Sequence, residues 1–164
     1  MEIKKLYRKK VMVDANAFIY FFTGQSNELT KNIFQLAEKN YLTLITTIRI
    51  VDEVCFKVMM ISARTKLGLK ANILEKIKRD KEKMKILAKD VQKVAGFITQ
   101  LKIDVKEISF KEVQKLPLFM EKYGLFGNDA LILAIMEKYN LKYLLSSDKD
   151  FDLVNFVRRI DPKV

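Results

Sequence analysis

Hydrophobic and polar positions along this chain follow two periods, one typical of strands and one typical of helices. Short apolar runs at residues 11–13 and 42–45 predict two buried strands. Residues 15–23 and 27–39 have helical spacing, with apolar side chains recurring on one face. Gly24 follows the first helical segment and predicts its end, because glycine readily adopts the backbone angles that stop a helix.

The rest of the chain continues this alternation. Thr46 and Thr47 are of a type that caps helices, and they predict a helix that runs through Glu53 into the sixties before Gly68 breaks it. Pro117 is expected to bend or divide a later helix. Further strands are predicted at 103–108, 142–146 and 156–160, and further helices at 110–123 and 129–139. Such alternation predicts an α/β protein: a three-layer α-β-α fold with a central, mostly parallel sheet covered on both faces.

Residues 70–101 form the most periodic stretch of the chain. Apolar side chains spaced by seven form one row, and a companion row lies beside it: Ile77, Met84, Val91 and Ile98, with Leu87, Val94 and Leu101. Asp80 is the one polar residue in this helical seam. Burial within the monomer, contact with a second copy and docking of a partner helix all explain such a seam. We expect one domain over residues 1–164, with 62–110 as a basic helical elaboration within it.

Charge and residue usage narrow the function. The chain carries 31 Lys and Arg against 20 Asp and Glu, a net charge of +11, which favours an anionic partner. Residues 57–106 hold fourteen basic and five acidic side chains, so most of the excess charge lies there, where a solvated helix face explains it equally well. The sequence has no histidine, which excludes Ser-His and Cys-His catalysis and His-ligated zinc.

Cysteine usage and hydropathy bear on the compartment. Cys55 is the single cysteine, so the chain cannot form an internal disulfide, and the residue is expected to be a small buried hydrophobe. The first ten residues are too short and too charged for a signal sequence, and no apolar run approaches the roughly 20 residues that cross a membrane. A soluble, cytoplasmic protein is expected.

Four acidic residues stand where a parallel sheet places its ligands. Asp14 follows the first strand and Asp148 follows the strand at 142–146, while Glu53 and Asp129 lie near the beginnings of helices. Because ligands of open α/β sheets bind beyond the carboxyl ends of the strands, all four are expected at one edge. Packed carboxylates repel one another unless a cation neutralises them, and hard ions such as Mg²⁺ or Mn²⁺ prefer oxygen ligands.

Each acid also has a purely structural explanation. Asp14 and Asp148 are typical of caps or polar turns, and Asp129 suits the dipole of a first helical turn. Glu53 has apolar neighbours at three residues' distance, but it can pair with Arg49 or Lys57 one turn away. The adjacent Asp52 is a rival that spacing alone does not exclude. Three acids within five residues, at 148, 150 and 152, resemble a calcium loop, yet the EF-hand glycine and distal glutamate are absent.

Three segments carry a family resemblance. VMVDANAFIYFF resembles the first motif of PIN-domain nucleases, a hydrophobic strand that ends in Asp-x-Asn. LITTIRIVDEV resembles the second motif, a Ser/Thr-led helix with a glutamate, and this match selects Glu53 over Asp52. NDALILAIMEKYNLKYLLSSDKDFDLV resembles the joined third and fourth motifs. The whole is similar to VapC-type toxins of toxin–antitoxin pairs and their archaeal relatives, although residues 62–110 are longer and more basic than in compact members.

The resemblance implies a metal-dependent endoribonuclease. Asp14, Glu53, Asp129 and Asp148 would hold one or two Mg²⁺ or Mn²⁺ ions that activate water and offset charge on the cleaved RNA phosphodiester. Asn16 and Ser146 would orient these carboxylates. Asp150 would be a further metal ligand or an acid just outside the ligand shell.

Several alternatives stay open. The enzyme would be either a toxin, with an antitoxin as its partner, or an RNA-processing nuclease; a homodimer is a further candidate assembly. A non-catalytic PIN-like module that holds RNA through the basic insertion is the main alternative. A phosphatase with Asp14 as nucleophile is disfavoured, because a haloacid-type enzyme would need a second Asp where this chain has Asn16. Tyr20, Phe21, Phe22 and Tyr123 are candidates to stack on bases, although aromatics at helical spacing are more often core.

Overall fold

Five strands form one sheet at the centre of the computed structural model, which describes residues 3–163. The strands are β1 (Lys10–Val13), β2 (Thr43–Thr47), β3 (Asp104–Lys106), β4 (Tyr143–Leu145) and β5 (Arg158–Ile160). Their order across the sheet is β3-β2-β1-β4-β5, and every pairing is parallel. Met12 of the central strand lies between Ile45 of β2 and Leu144 of β4. The predicted α/β fold with a parallel central sheet is confirmed.

Helices connect the strands and cover both faces of the sheet. They are α1 (Ala15–Phe22), α2 (Glu28–Glu38), α3 (Ile48–Thr65), α4 (Ile73–Ile77), α5 (Lys81–Gln100), α6 (Phe110–Val113), α7 (Leu116–Tyr123) and α8 (Gly127–Lys138), with 3-10 helices at Ile3–Leu6 and Lys149–Leu153. The chain steps outward from β1 through β2 to β3 and then returns to β4. Because crossovers between parallel strands are right-handed, α1 to α5 cover one face and α6 to α8 cover the other.

Local sequence signals account for the element boundaries. Thr47 caps α3 by accepting a hydrogen bond from the backbone of Ile50, and Gly24 has the positive φ that ends the first helical segment. The predicted helix at 110–123 is two helices, and Pro117 stands in the first turn of the second, where its missing N–H costs nothing. Residues 132–136 of α8 are all apolar, because this stretch of the helix is buried on every side.

The seam predicted over residues 70–101 is divided. Helix α4 ends at Ile77, Arg79 adopts a left-handed conformation, and Asp80 caps α5 by accepting from the backbone of Lys83 at 3.0 Å. The polar residue of the seam is therefore the start of a new helix. The companion row Leu87, Val94 and Leu101 is buried within the chain, whereas Met84 of the first row is exposed.

A second, smaller apolar cluster lies apart from the main core. Ala63, Ile73, Ile77 and Leu87 are its buried members, contributed by α3, α4 and α5. This cluster holds α4 against the α3–α5 pair, so the basic stretch is packed rather than loosely attached. Within residues 3–163, no helix is both long enough and apolar enough to cross a membrane.

Candidate active site

Asp14 lies directly beyond β1 and is the N-cap of α1. Its carboxylate is only 6% exposed and accepts three hydrogen bonds. Oδ1 accepts from the backbone of Ala15 at 2.6 Å, and Oδ2 accepts from Asn16 Nδ2 at 2.6 Å and Ser146 Oγ at 2.7 Å. Burial raises the pKa of Asp14, and the hydrogen bond from Ser146 partly opposes that rise. Asp14 therefore caps α1 as expected, and its carboxylate also interacts with Glu53.

A small polar network ties the end of β4 to the end of β1. Ser146 Oγ accepts from the backbone of Asp148 at 3.1 Å, and Asn16 Oδ1 accepts from the backbone of Ser147 at 3.0 Å. Asp148 caps the 3-10 helix at Lys149–Leu153 through a 2.9 Å bond from the backbone of Asp150. Asn16 and Ser146 thus contact Asp14, and Ser146 also fixes the backbone from which Asp148 projects.

The side chain of Asp129 is influenced by the other acids of the site. It lies in the first turn of α8 with its side chain partly buried. Burial, followed by the carboxylates of Asp14, Asp148, Glu53 and Asp150, raises the pKa of Asp129 to about 6. Four acidic groups from three other parts of the chain therefore act on this one side chain, at the carboxyl edge of the sheet.

Glu53, rather than Asp52, faces this cluster. Glu53 Oε2 accepts from Asn128 Nδ2 at 3.1 Å, and Oε1 pairs with Lys57 Nζ at 2.6 Å. Asp52 points to solvent, where it pairs with Arg49 at 3.1 Å. The ion pair anticipated one turn along α3 is thus present as well, and Glu53 is shared between Lys57 and the site.

Two residues at the site were not anticipated from the sequence. Asn128 donates to Glu53, while its own Oδ1 is buried with no hydrogen-bond partner in the described part of the chain. Arg159 makes two 2.9 Å bonds to the carboxylate of Asp152 and donates to the carbonyl oxygen of Ser146 at 3.1 Å. Asp152 therefore anchors the loop after β4, whereas Asp150 is exposed and acts on Asp129. The only sequence signal for Asn128 was its place beside Asp129.

The donor set fits a hard divalent cation, although the side chains are not drawn together as ligands. Within residues 3–163, no three His, Cys, Asp or Glu side chains stand close enough to hold a metal ion. Glu53 is turned towards Lys57 and Asn128, and Asp14 and Asp148 are held by backbone and hydroxyl donors. Four carboxylates act on the half-buried Asp129, and together with the unsatisfied amide oxygen of Asn128 they give a set of oxygen donors with an excess of negative charge.

The phenylalanines of α1 pack in or against the core. The ring of Phe21 lies 4.6 Å from that of Phe34, and the ring of Phe22 lies 5.0 Å from that of Phe97. These contacts join α1, α2 and α5. Stacking on nucleic-acid bases is therefore not favoured for Phe21 and Phe22.

The fold and the site define a class: parallel α/β proteins with an acidic cluster beyond the carboxyl ends of the central strands. The family model described as PIN domain matches residues 11–157, and the chain belongs to this family, whose members are generally nucleases.

Solved structures with a similar fold include two toxin–antitoxin assemblies. One is described as a toxin–antitoxin complex from Klebsiella pneumoniae, and it is 15% identical in sequence with a TM-score of 0.56. The alignment covers 90% of this chain and 95% of the other. The other is VapBC2 from Rickettsia felis bound to a DNA fragment from their promoter, with 16% identity, coverage of 94% and 99%, and a TM-score of 0.59. Among curated proteins, none matches this chain. At these identities the likeness concerns the fold.

Proposed function

We propose that this protein is a metal-dependent endoribonuclease that hydrolyses RNA phosphodiester bonds. The observation that carries the proposal is the gathering of Asp14, Glu53, Asp148 and Asp150 around Asp129. Carboxylates that act on one another in this way disfavour each other's charge, perturbed acids are typical of functional sites, and oxygen ligands of this kind are those that hard divalent cations prefer. Because the chain belongs to a family whose members are generally nucleases, we assign phosphodiester hydrolysis to this site.

The roles follow from the contacts of each side chain. Asp14, Glu53, Asp129 and Asp148 would hold one or two Mg²⁺ or Mn²⁺ ions, with Asp150 as a further ligand or an outer acid. Such an ion, when bound, makes water a nucleophile at neutral pH and offsets charge on a phosphodiester. Asn16 and Ser146 keep the Asp14 carboxylate in one orientation, and Asn128 does the same for Glu53.

A polyanionic substrate, as RNA is, is favoured by charge. An acidic site repels a polyanion, so a nuclease needs cations near it to bind its substrate. The exposed cations of the 62–110 elaboration, which we treat as part of one domain, include Arg64, Lys70, Lys85 and Lys89. Cellular RNA as the substrate also implies action in the cytoplasm.

A cleavage assay tests the proposal. Single-stranded and structured RNAs are incubated with the protein in Mn²⁺ and in EDTA, together with Asp14→Asn and, as the control on exposed surface, Asp52→Asn. We expect internal cleavage in Mn²⁺, none in EDTA, a loss of at least about 100-fold in Asp14→Asn, and no change in Asp52→Asn. Asparagine is as good an N-cap as aspartate, so Asp14→Asn keeps the start of α1. Equal cleavage by Asp14→Asn and the wild type would refute the site assignment.

The same assay distinguishes the nuclease from the main alternative, a non-catalytic RNA-binding module. A non-catalytic RNA-binding module would bind these RNAs and cleave none of them, with or without Mn²⁺. Binding that survives Asp14→Asn, combined with no cleavage by the wild type, would favour that module.

Within the proposed nuclease function, the toxin of a toxin–antitoxin pair is the more specific candidate for the cellular role. Two similar structures are toxin–antitoxin assemblies. This chain also has a cavity of about 280 Å³ between α1, α3 and α5, with apolar walls from Ile19, Phe22 and Val58. The charged side chains of Lys66, Lys93 and Asp90 lie beside it and suit a partner segment of mixed character.

Expression in a bacterial host tests the toxin role. A toxin arrests growth on induction, Asp14→Asn relieves the arrest, and a protein encoded beside it restores growth and co-purifies with it. A processing nuclease cleaves RNA in vitro without arresting growth. Light scattering on the purified chain tests the homodimer in the same preparation.

A further inference from the structure

Lys57 is the cation in direct contact with the acidic cluster. Its Nζ lies 2.6 Å from Glu53 Oε1, one helical turn along α3. The side chains of Lys57 and Glu53 are 47% and 28% exposed, and an i,i+4 ion pair with this exposure contributes little to stability. Stability alone is therefore a weak reason for a lysine at this position.

The charge of Lys57 reaches beyond Glu53. It is the one cation among the main influences on the pKa of Asp14, which it lowers, and the main influences on Asp129 are burial and four acids. A second pair on the same helix provides a contrast. Arg49 and Asp52 are 57% and 72% exposed, and Asp52 does not appear among the groups acting on Asp14 or Asp129.

Two other acids of the cluster are held by neutral donors. Asp14 accepts from an amide, a hydroxyl and a backbone N–H, and Asp148 accepts from a backbone N–H. Neutral donors orient a carboxylate without cancelling its charge. Within residues 3–163, Lys57 is the one cation that forms an ion pair with an acid of the cluster, through a flexible side chain that is 47% exposed.

We propose that Lys57 is the built-in counterion of this site: it competes with a divalent cation for Glu53, and its released ammonium group contacts the RNA phosphate. The inference rests on the proposed nuclease function. Once Glu53 is engaged as a metal ligand, the ammonium group of Lys57 stands beside the site without its partner. A phosphate is the anion that a nuclease substrate brings there, and a lysine tip is a suitable point charge for it.

The two roles predict effects of opposite sign. In Lys57→Gln, Glu53 loses its internal competitor, so Mn²⁺ measured by titration calorimetry binds about three- to tenfold more tightly. At saturating Mn²⁺, kcat/KM for RNA cleavage nevertheless falls by about 10- to 100-fold, because the phosphate contact is lost. Lys57→Arg keeps the charge and retains most of kcat/KM. A purely structural role would not tighten metal binding while slowing cleavage.

Arg49→Gln is the matched control, since it removes a cation and an exposed ion pair from the same helix. It should leave both Mn²⁺ affinity and kcat/KM unchanged. Unchanged or weaker Mn²⁺ binding in Lys57→Gln overturns the counterion role, and unchanged kcat/KM at saturating Mn²⁺ overturns the phosphate contact. Wild-type protein that binds Mn²⁺ but cleaves no RNA overturns the proposed nuclease and the phosphate contact, while the titration still decides the competition for Glu53. Wild-type protein that binds no Mn²⁺ overturns both proposals.

Discussion

The hydroxyl of Ser146 donates to Asp14 Oδ2 at 2.7 Å, across 132 residues of sequence. It joins the ends of two neighbouring strands, β1 and β4, and it also accepts from the backbone of Asp148 at 3.1 Å. One buried side chain thus sets the orientation of one acid and the backbone of another. The relationship depends on the parallel pairing that places both strand ends at the same edge.

Removing this hydroxyl is the first prediction. Ser146→Ala leaves Asp14 with one donor fewer and the backbone N–H of Asp148 without its acceptor. We expect cleavage to fall by about 10- to 100-fold and the free energy of unfolding to fall by about 1–2 kcal/mol. Kinetic assays and urea denaturation measure the two effects. Ser147→Ala, one residue along, keeps the backbone N–H that Asn16 accepts and is the control. Full activity in Ser146→Ala would contradict the orienting role.

Asp129→Asn should stabilise the metal-free protein while abolishing cleavage. The folded-state pKa of Asp129 is about 6, above the ordinary 3.8, so the charged form is disfavoured by folding. The wild type therefore loses stability at Asp129 as pH rises from about 4 to 6, and the variant lacks this contribution. Above pH 6 the variant is expected to be about 1–2 kcal/mol more stable, since partial exposure reduces the full effect.

Thermal unfolding in EDTA across this pH range measures the difference between Asp129→Asn and the wild type. The gap should open between pH 4 and 6 and then stay constant. A gap that does not depend on pH, or a variant that is less stable at pH 7, would show that Asp129 is not destabilised by its neighbours.

Glu112 provides a prediction about stability away from the site. Lys138 and then Ser109 bind its carboxylate and lower its pKa to about 2, at contacts of 2.8 Å and 2.7 Å. Its stabilisation is therefore complete above pH 4.5 and is lost as pH falls towards 2. Glu112→Gln should cost about 1–3 kcal/mol at pH 7 and leave cleavage unchanged, because Lys138 lies about 14 Å along α8 from Asp129.

Chemical denaturation at pH 7 and at pH 2.5 checks this effect. The difference between Glu112→Gln and the wild type should shrink at the lower pH. Glu137→Gln is the control, on the helix that carries Lys138, since Glu137 pairs with Lys115 on the surface and its loss should cost well under 1 kcal/mol. Equal losses in both variants would remove the special role of Glu112.

Much of the fold was predictable because local patterns agree with the topology. The apolar run at 11–13 followed by Asp14, and the Thr47 cap before α3, are signals that need no knowledge of distant residues. The seam at 70–101 was predicted as continuous because a spacing of seven persists across the turn. The left-handed backbone of Arg79 and the cap at Asp80 interrupt the helix without interrupting that spacing.

The site was predictable in part for the same reason. Strand ends and helix starts indicated the four acids, and a parallel sheet brings such positions to one edge. The partners of those acids depend on which way side chains point between distant elements. Asn128 meets Glu53 across 75 residues, and Arg159 reaches Asp152 from the last strand. No spacing rule connects these pairs, so only the folded chain reveals them.

The location of Mn²⁺ tests the central claim most directly. Crystals of the protein grown with millimolar Mn²⁺ give an anomalous difference map in which the ion can be located without reference to the carboxylates. We predict one or two peaks among Asp14, Glu53, Asp129 and Asp148, with Lys57 turned away from Glu53. An ordered acidic cluster without a peak, or with Glu53 still paired to Lys57 and Mn²⁺ bound elsewhere, would contradict the account.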